Sequence, residues 1–276
     1  MNLPIFYQYP ISVTGLMFFG VLLVALEFGF RLGRWWQRST PDSEKVASGD
    51  IALTAMYGLL GLVLALTYSF TVSRADHRKE ALIHEANALG TAFLRAGLAP
   101  EPERTELRSL LYNYSCSRVV VGKETRTREK RQAFISHSLE FQAELWPAVE
   151  RLIENSDGGP IEAGIVQSIN DVIDAHSLRI AALFDRLPGI VLGMLLLIAG
   201  ASLAVSGYNR GLAGNMNRAR MTVLALVLAS VMTTITDFDR SLDGFVQMSQ
   251  QPLKDGIQDM EKIMQKQEND TPSSLP

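Results

Sequence analysis

Cysteine occurs once in 276 residues and histidine four times. The lone Cys116 cannot close an intramolecular disulfide or build a multi-cysteine metal site, and it reads as a small, partly buried residue on a helix. Basic residues are not in excess: a formal net charge of −3 lacks the positive footprint that nucleic-acid binding requires first. There is no phosphate-cradling glycine loop, no nucleophile set beside a base and no acid–base pair, so nothing points to an enzyme, a cofactor or a metal. The nearest approach to a metal motif is His84-Glu85, but Ala88 stands where the second histidine of a zinc-protease helix belongs. The most informative absence is of charge, which is missing from several long stretches.

Four apolar windows reach the length needed to cross a bilayer: Ile11–Phe30, Ile51–Thr71, Leu187–Gly207 and Met221–Thr236. The segment before the first lacks the basic start and cleavage site of a signal peptide, so that window is expected to be retained. It ends in Arg31, Arg34, Trp35, Trp36 and Arg38, a basic and aromatic cluster of the kind that anchors a helix at the headgroup layer. Glu27 lies about one turn inside it. Two readings apply to this intramembrane acid: a residue on an ion path, or the commoner salt-bridge partner of Arg31 at i,i+4.

From Ser73 to Ala96 there is no proline and one glycine, Gly90, so the second span is expected to leave the lipid as one continuous helix. Its apolar stripe is predicted to comprise Leu82, Ala86, Leu89, Phe93 and Leu94. Ala99-Pro-Glu-Pro-Glu then ends the rod. A helix from Pro102 to about Val121 follows, and a charged patch at Lys123–Arg131 opens the next. That helix carries Phe134, Ile135, Leu139, Leu145, Trp146, Val149, Leu152 and Ile153, and Pro147 should kink or split it. Ile165, Ile169, Val172, His176, Ile180 and Leu183 form the seam of one more helix before the third span. After the fourth span comes a strand or loop near Gly244, a short amphipathic helix with Leu253, Ile257, Met260 and Ile263, and a disordered tail from Glu268.

These elements predict an all-α integral membrane protein with four transmembrane helices and a helical-bundle domain inserted between the second and third spans. The expected division is 1–71 for the first helix pair, 72–186 for the soluble domain, 187–240 for the second pair and 241–276 for the C-terminal segment. Two sets of candidate functional residues follow. Gly61, Leu64 and Tyr68 make a stripe on the second span that would face a pore. Glu85, Asn87, Arg95, Asp171, Asp174, His176 and Arg179 form a candidate polar network between two helices, read first as pairing that fixes the bundle's register. Gly58 and Gly61 are small enough to let membrane helices approach closely.

Three stretches carry a resemblance. Gly61–Arg95 with Glu85-Ala-Asn-Ala-Leu-Gly-Thr-Ala-Phe-Leu-Arg, the run Ile169-Asn-Asp-Val-Ile-Asp-Ala-His-Ser-Leu-Arg, and Asp237-Phe-Asp-Arg-Ser-Leu-Asp-Gly-Phe with Gln250-Gln-Pro-Leu resemble the bacterial bestrophin-like membrane proteins. The resemblance covers most of the chain from about residue 50, although Ser241-Leu-Asp stands where members more often carry a proline and basic residues. By analogy with bestrophins, pentameric anion channels of the same element order, it implies a multi-pass protein of the bacterial inner membrane. It also implies a homo-oligomer, a pentamer by resemblance alone, with ions as its ligands and the second span lining the pore.

The alternative function is a membrane-anchored sensory or interaction protein without transport. Sidedness is divided. Arg31, Arg34, Arg38 and Lys45 with Arg210, Arg218 and Arg220 favour cytoplasmic connections and an external domain under the positive-inside rule. Arg74, Arg78, Lys79, Arg186 and Arg240, together with the resemblance, favour a cytoplasmic domain.

Overall fold

The computed structural model describes Tyr7 and residues 9–39, 49–119, 128–156, 158–240, 244–245 and 248–270. Eight α-helices occupy most of them: α1 Ile11–Ser39, α2 Gly49–Ala96, α3 Glu103–Ser117, α4 Arg128–Glu154, α5 Pro160–Phe184, α6 Gly189–Leu212, α7 Arg218–Asp239 and α8 Gln251–Asp270. No strand occurs among the described residues, as expected of an all-α chain. Most of the polar first connection and most of the Lys123–Arg131 patch lie outside the described residues, as do 271–276. The helix α8 continues past Glu268 to Asp270, so a tail beginning at Glu268 is corrected.

The chain divides into two compact units, Met1–Ala75 with Arg186–Gln247, and Asp76–Asp185 with Met248–Pro276. The C-terminal segment thus groups with the central helices. In the first unit α1 and α6 run parallel at very close range. A Cβ placed on Gly29 or Gly33 would penetrate the backbone of Ala204 or Tyr208, and one on Gly207 or Gly211 that of Leu26 or Phe30. The two Gly-x-x-x-Gly pairs let the helix backbones touch, which matters because lipid supplies no hydrophobic drive between helices. By contrast, Gly58 and Gly61 on α2 have no neighbouring atom of this chain within 4 Å of where a Cβ would sit, so within the chain the close helix contact is made by the glycines of α1 and α6.

The core of this unit is formed by Phe18, Leu22, Leu26, Leu192, Leu195, Leu203, Met232 and Ile235, with Leu60 and Leu64 from α2. Hydroxyls in the spans bond back to their own helices. Ser202 donates to the Ile198 carbonyl at 2.8 Å, Thr233 to Ala229 at 2.7 Å and Thr236 to Met232 at 2.8 Å. Each polar group is thereby satisfied where water is absent. Four helical stretches, α1, α2, the one ending at Leu212, and α7, are long and apolar enough to cross a membrane.

The second unit packs the later half of α2 with α3, α4, α5 and α8 around Leu89, Phe93, Leu107, Leu111, Leu145, Leu152, Ile169 and Val172, closed by Leu253 and Met260. Pro160 opens α5 at a position where its missing N–H costs nothing, and the Glu162 carboxylate accepts from the Gly159 N–H at 2.9 Å. Pro147 sits inside α4, which it does not split; Leu145, Ala148, Val149 and Leu152 are buried on either side of it. Four members of the expected apolar stripes, Leu94, Leu139, Trp146 and Ile153, are exposed, because they lie off the faces that the neighbouring helices cover. Cys116 is on a helix, α3, but exposed rather than partly buried.

The α1–α6 contact generates a test. Gly29→Val and Gly207→Val should each destabilise the protein by about 2–3 kcal/mol through overpacking against backbone. Gly20→Val, on α1 with no neighbouring atom within 4 Å of where its Cβ would sit, should be neutral within about 0.5 kcal/mol. Unfolding of the full chain in mixed detergent micelles, followed by circular dichroism, measures the difference.

Candidate functional site

The most concentrated chemistry of the second unit lies where charged residues fall in phase with the apolar stripes. In this unit the buried positions of α2 are Arg78, Ala81, Leu82, Glu85, Leu89, Ala92, Phe93 and Ala96; along α3 they are Glu103, Leu107, Leu111, Tyr114 and Ser115, and Arg118 follows at the helix end. On α5 they are Ile165, Ile169, Val172, His176, Arg179 and Leu183. Charged residues are therefore carried into the core on the buried faces, among them Glu85 of α2, Arg118 just past α3 and Arg179 of α5.

Glu85 is fully buried and binds two guanidinium groups. Arg118 donates through Nε to Glu85 Oε1 at 2.7 Å, and Arg179 donates through Nη1 to Oε2. Arg118 also donates to the Ser138 hydroxyl of α4 at 3.1 Å, and Arg179 to the Arg118 carbonyl at 3.3 Å. The Arg118 guanidinium lies 5.6 Å from the Phe134 ring centroid and 6.0 Å from that of Tyr114. One carboxylate thus ties α2, the end of α3 and α5 together, with α4 joined through Ser138.

Beside the triad, the Tyr114 hydroxyl is 2.8 Å from His176 Nδ1. Burial, and then the nearby Arg118 charge, lower the His176 pKa to about 4, so the ring is neutral at pH 7. Burial also raises the Tyr114 phenol, and it lowers the Arg179 guanidinium. Two arginines against one carboxylate leave an excess positive charge in the core, which a protonated histidine would increase.

The structure brings together Glu85, Arg179 and His176 of the expected network and adds Tyr114, Arg118 and Ser138. It does not bring in the other four. Asn87 and Asp174 are exposed, Asp171 accepts from Gln167 on its own helix at 2.9 Å, and Arg95 donates to the Gly164 carbonyl at 3.0 Å. The network therefore joins four helices rather than two. The missed residues carried a signal: Arg118 lies four residues beyond Tyr114, in phase with Leu107 and Leu111.

The first unit has its own polar cluster, built from Asp237-Phe-Asp-Arg. Asp239 is fully buried; it accepts the Tyr7 hydroxyl and the Leu187 N–H, the latter at 3.0 and 3.1 Å from its two oxygens, and Arg74 Nη1 is 3.9 Å away. Arg240 donates to the Thr14 hydroxyl at 3.0 Å, and Asp237 accepts the Phe245 N–H at 2.8 Å. The motif fastens the segment before α1, the entry to α6 and the exit from α7. Glu27 is half-buried and paired with Arg31 at 3.0 Å, the pairing expected of an interfacial partner, and Arg218 of α7 is 3.7 Å from the same oxygen.

Of the candidate pore stripe, Leu64 is packed into its own unit's core, whereas Gly61 and Tyr68 are exposed. The buried line on α2 is Leu60, Leu64, Thr67 and Thr71. The stripe is therefore divided, its middle residue covered by its own unit and its two ends not. The side left uncovered bears Leu59, Leu62, Leu66 and Phe70. Among the described residues, no group of three or more His, Cys, Asp or Glu could hold a metal ion.

Removing the Glu85 charge tests the triad. Glu85→Gln should cost about 3–5 kcal/mol by stranding two buried cations, while Asp174→Asn should change stability by less than about 0.5 kcal/mol. The same unfolding measurement serves for both. For His176, the folded pKa lies below the ordinary 6.5, so protonation favours the unfolded chain. Its contribution is complete above pH 6.5 and is lost as pH falls toward about 4. The fall in Tm across that window should be smaller in His176→Gln than in the unsubstituted protein.

The bestrophin-like domain model matches residues 17–253, which include parts of both units. A solved structure of a bacterial bestrophin homologue from Klebsiella pneumoniae, a point variant, has a similar fold: TM-score 0.52 and 12% sequence identity, covering 91% of this chain and 98% of that one. A second solved structure, of a membrane protein variant, gives a TM-score of 0.49 at 13% identity, covering 95% of this chain and 99% of that one. No curated protein matches. The domain match takes in most of the sequence, and the chain belongs to the bestrophin-like family.

Proposed function

We propose that this chain assembles as a homo-oligomer in the bacterial inner membrane and encloses an ion-conducting pore, with α2 at the interface between copies. The observation that carries this reading is the bareness of α2. Within its most apolar window 17% of residues are buried, against 28–39% in the other three candidate spans. Only a narrow line holds it to its own unit, and Leu59, Leu62, Leu66 and Phe70 are left to meet lipid or another copy.

Two hydroxyls on the covered line of this span are turned to their own backbone. Thr67 donates to the Val63 carbonyl at 2.8 Å and Thr71 to Tyr68 at 2.8 Å. A pore lined by Leu59, Leu62, Leu66 and Phe70 would be largely apolar, a constriction that gates by wetting and dewetting. The family and the likeness to a bacterial bestrophin homologue support a channel-like reading; five copies and anion selectivity extend that analogy.

The second reading is a membrane-anchored sensory or interaction protein. It is favoured by the burial of Leu64 and by the continuous α2, which belongs to both units and would carry a movement from one to the other. Conductance separates the two. Purified protein in planar bilayers should pass current under an anion gradient, and its absence across anions and cations would leave the anchored protein. In a Cys116→Ser background, Leu62→Cys or Leu66→Cys should yield disulfide-linked dimers in membranes, and Leu64→Cys should not.

A further inference from the structure

One end of the first unit gathers six exposed arginines from three helices. The glycine contacts make α1 and α6 parallel, while Gly15 lies against Thr233 and Glu27 near Arg218, so that α7 runs the other way. The last turns of α1 and α6 and the first turn of α7 consequently meet. They present Arg31, Arg34 and Arg38, Arg210, and Arg218 and Arg220. Glu27 answers Arg31 and Arg218; among the described residues no carboxylate pairs with the other four. The connection at 40–48, outside the described residues, carries Asp42, Glu44 and Lys45, a net charge of −1 that offsets little of this excess.

Trp35 and Trp36 stand in the same patch, both exposed, with ring centroids 6.4 Å apart. Arginines elsewhere in the unit are differently placed. Arg240 is buried and bound to Thr14, Arg74 lies beside Asp239, and Arg186 stacks over Tyr7 at 5.4 Å. Outward-facing positive charge is therefore concentrated where the two connections leave the spans.

We propose that this arginine and tryptophan surface binds the phosphate headgroups of anionic phospholipids. The planar guanidinium offers paired donors that match phosphate oxygens, so arginine suits this surface better than a point charge would. The indoles sit at the depth where an apolar ring and a polar N–H are both accommodated. Each arginine near an anionic surface contributes on the order of fivefold in lipid preference. The interaction concerns neither the oligomer nor the pore, so it stands or falls separately from the reading above.

The test uses the full chain reconstituted in vesicles, with Trp146→Phe so that fluorescence reports only Trp35 and Trp36. Phosphatidylglycerol brominated near the top of its acyl chains should quench this emission more strongly than phosphatidylcholine brominated at the same carbons. The combined variant Arg34→Gln, Arg38→Gln, Arg220→Gln should lose at least about tenfold of that preference. The corresponding lysine variant should retain it within about threefold. Equal quenching by the two lipids in the unsubstituted surface would overturn the proposal, as would a glutamine variant that keeps its preference or a lysine variant that loses as much as the glutamine one.

Discussion

A polar group taken out of water must find its partner inside the protein, and this constraint shapes both units. In the spans it turns serine and threonine hydroxyls back onto their own helices. At Asp239 it gathers the Tyr7 phenol and the Leu187 N–H around one carboxylate. In the helical unit it sets Arg118 and Arg179 on Glu85. Replacing such a buried ionic cluster by well-packed apolar residues is often neutral or stabilising, whereas removing one partner strands the others, so the cluster ties α2, the end of α3 and α5 to one another without adding to the hydrophobic drive.

The two units solve the packing problem by different physics. In water, burial of Leu89, Phe93, Leu107 and Leu145 supplies the drive, at roughly 25 cal/mol per Å² of apolar surface. In lipid that drive is absent, and α1 and α6 are held by van der Waals contact between backbones brought together by Gly29, Gly33, Gly207 and Gly211. The helix α2 serves both environments without a break. It gives only a narrow line, with Leu60 and Leu64, to the core of the first unit and contributes Leu89 and Phe93 to the core of the second.

The candidate site was only partly legible. Glu85, His176 and Arg179 were singled out because polar residues crowd two stretches of sequence, but the same crowding drew in Asn87 and Asp174, which point to water. Phase discriminates better than density: Glu85, Arg118 and Arg179 all sit on apolar stripes, and the residues beside them do not. The roles of Asp237, Asp239 and Arg240 had no comparable signal, since their partners are distant in sequence, with Tyr7 and Asp239 separated by 232 positions.

What the amino-acid sequence determined by itself was local. Apolar runs of spanning length, three of them charge-free and the first holding only Glu27, set the membrane segments, and the absence of proline from Ser73 to Ala96 sets one continuous helix, because both follow from the chain's own backbone and its transfer from water. Tertiary structure decided which faces are covered: that Leu64 turns inward, that Gly29 rather than Gly58 makes the close contact, and that one glutamate binds two arginines. Those outcomes depend on which helices become neighbours, and helical periodicity specifies a stripe without naming what packs against it.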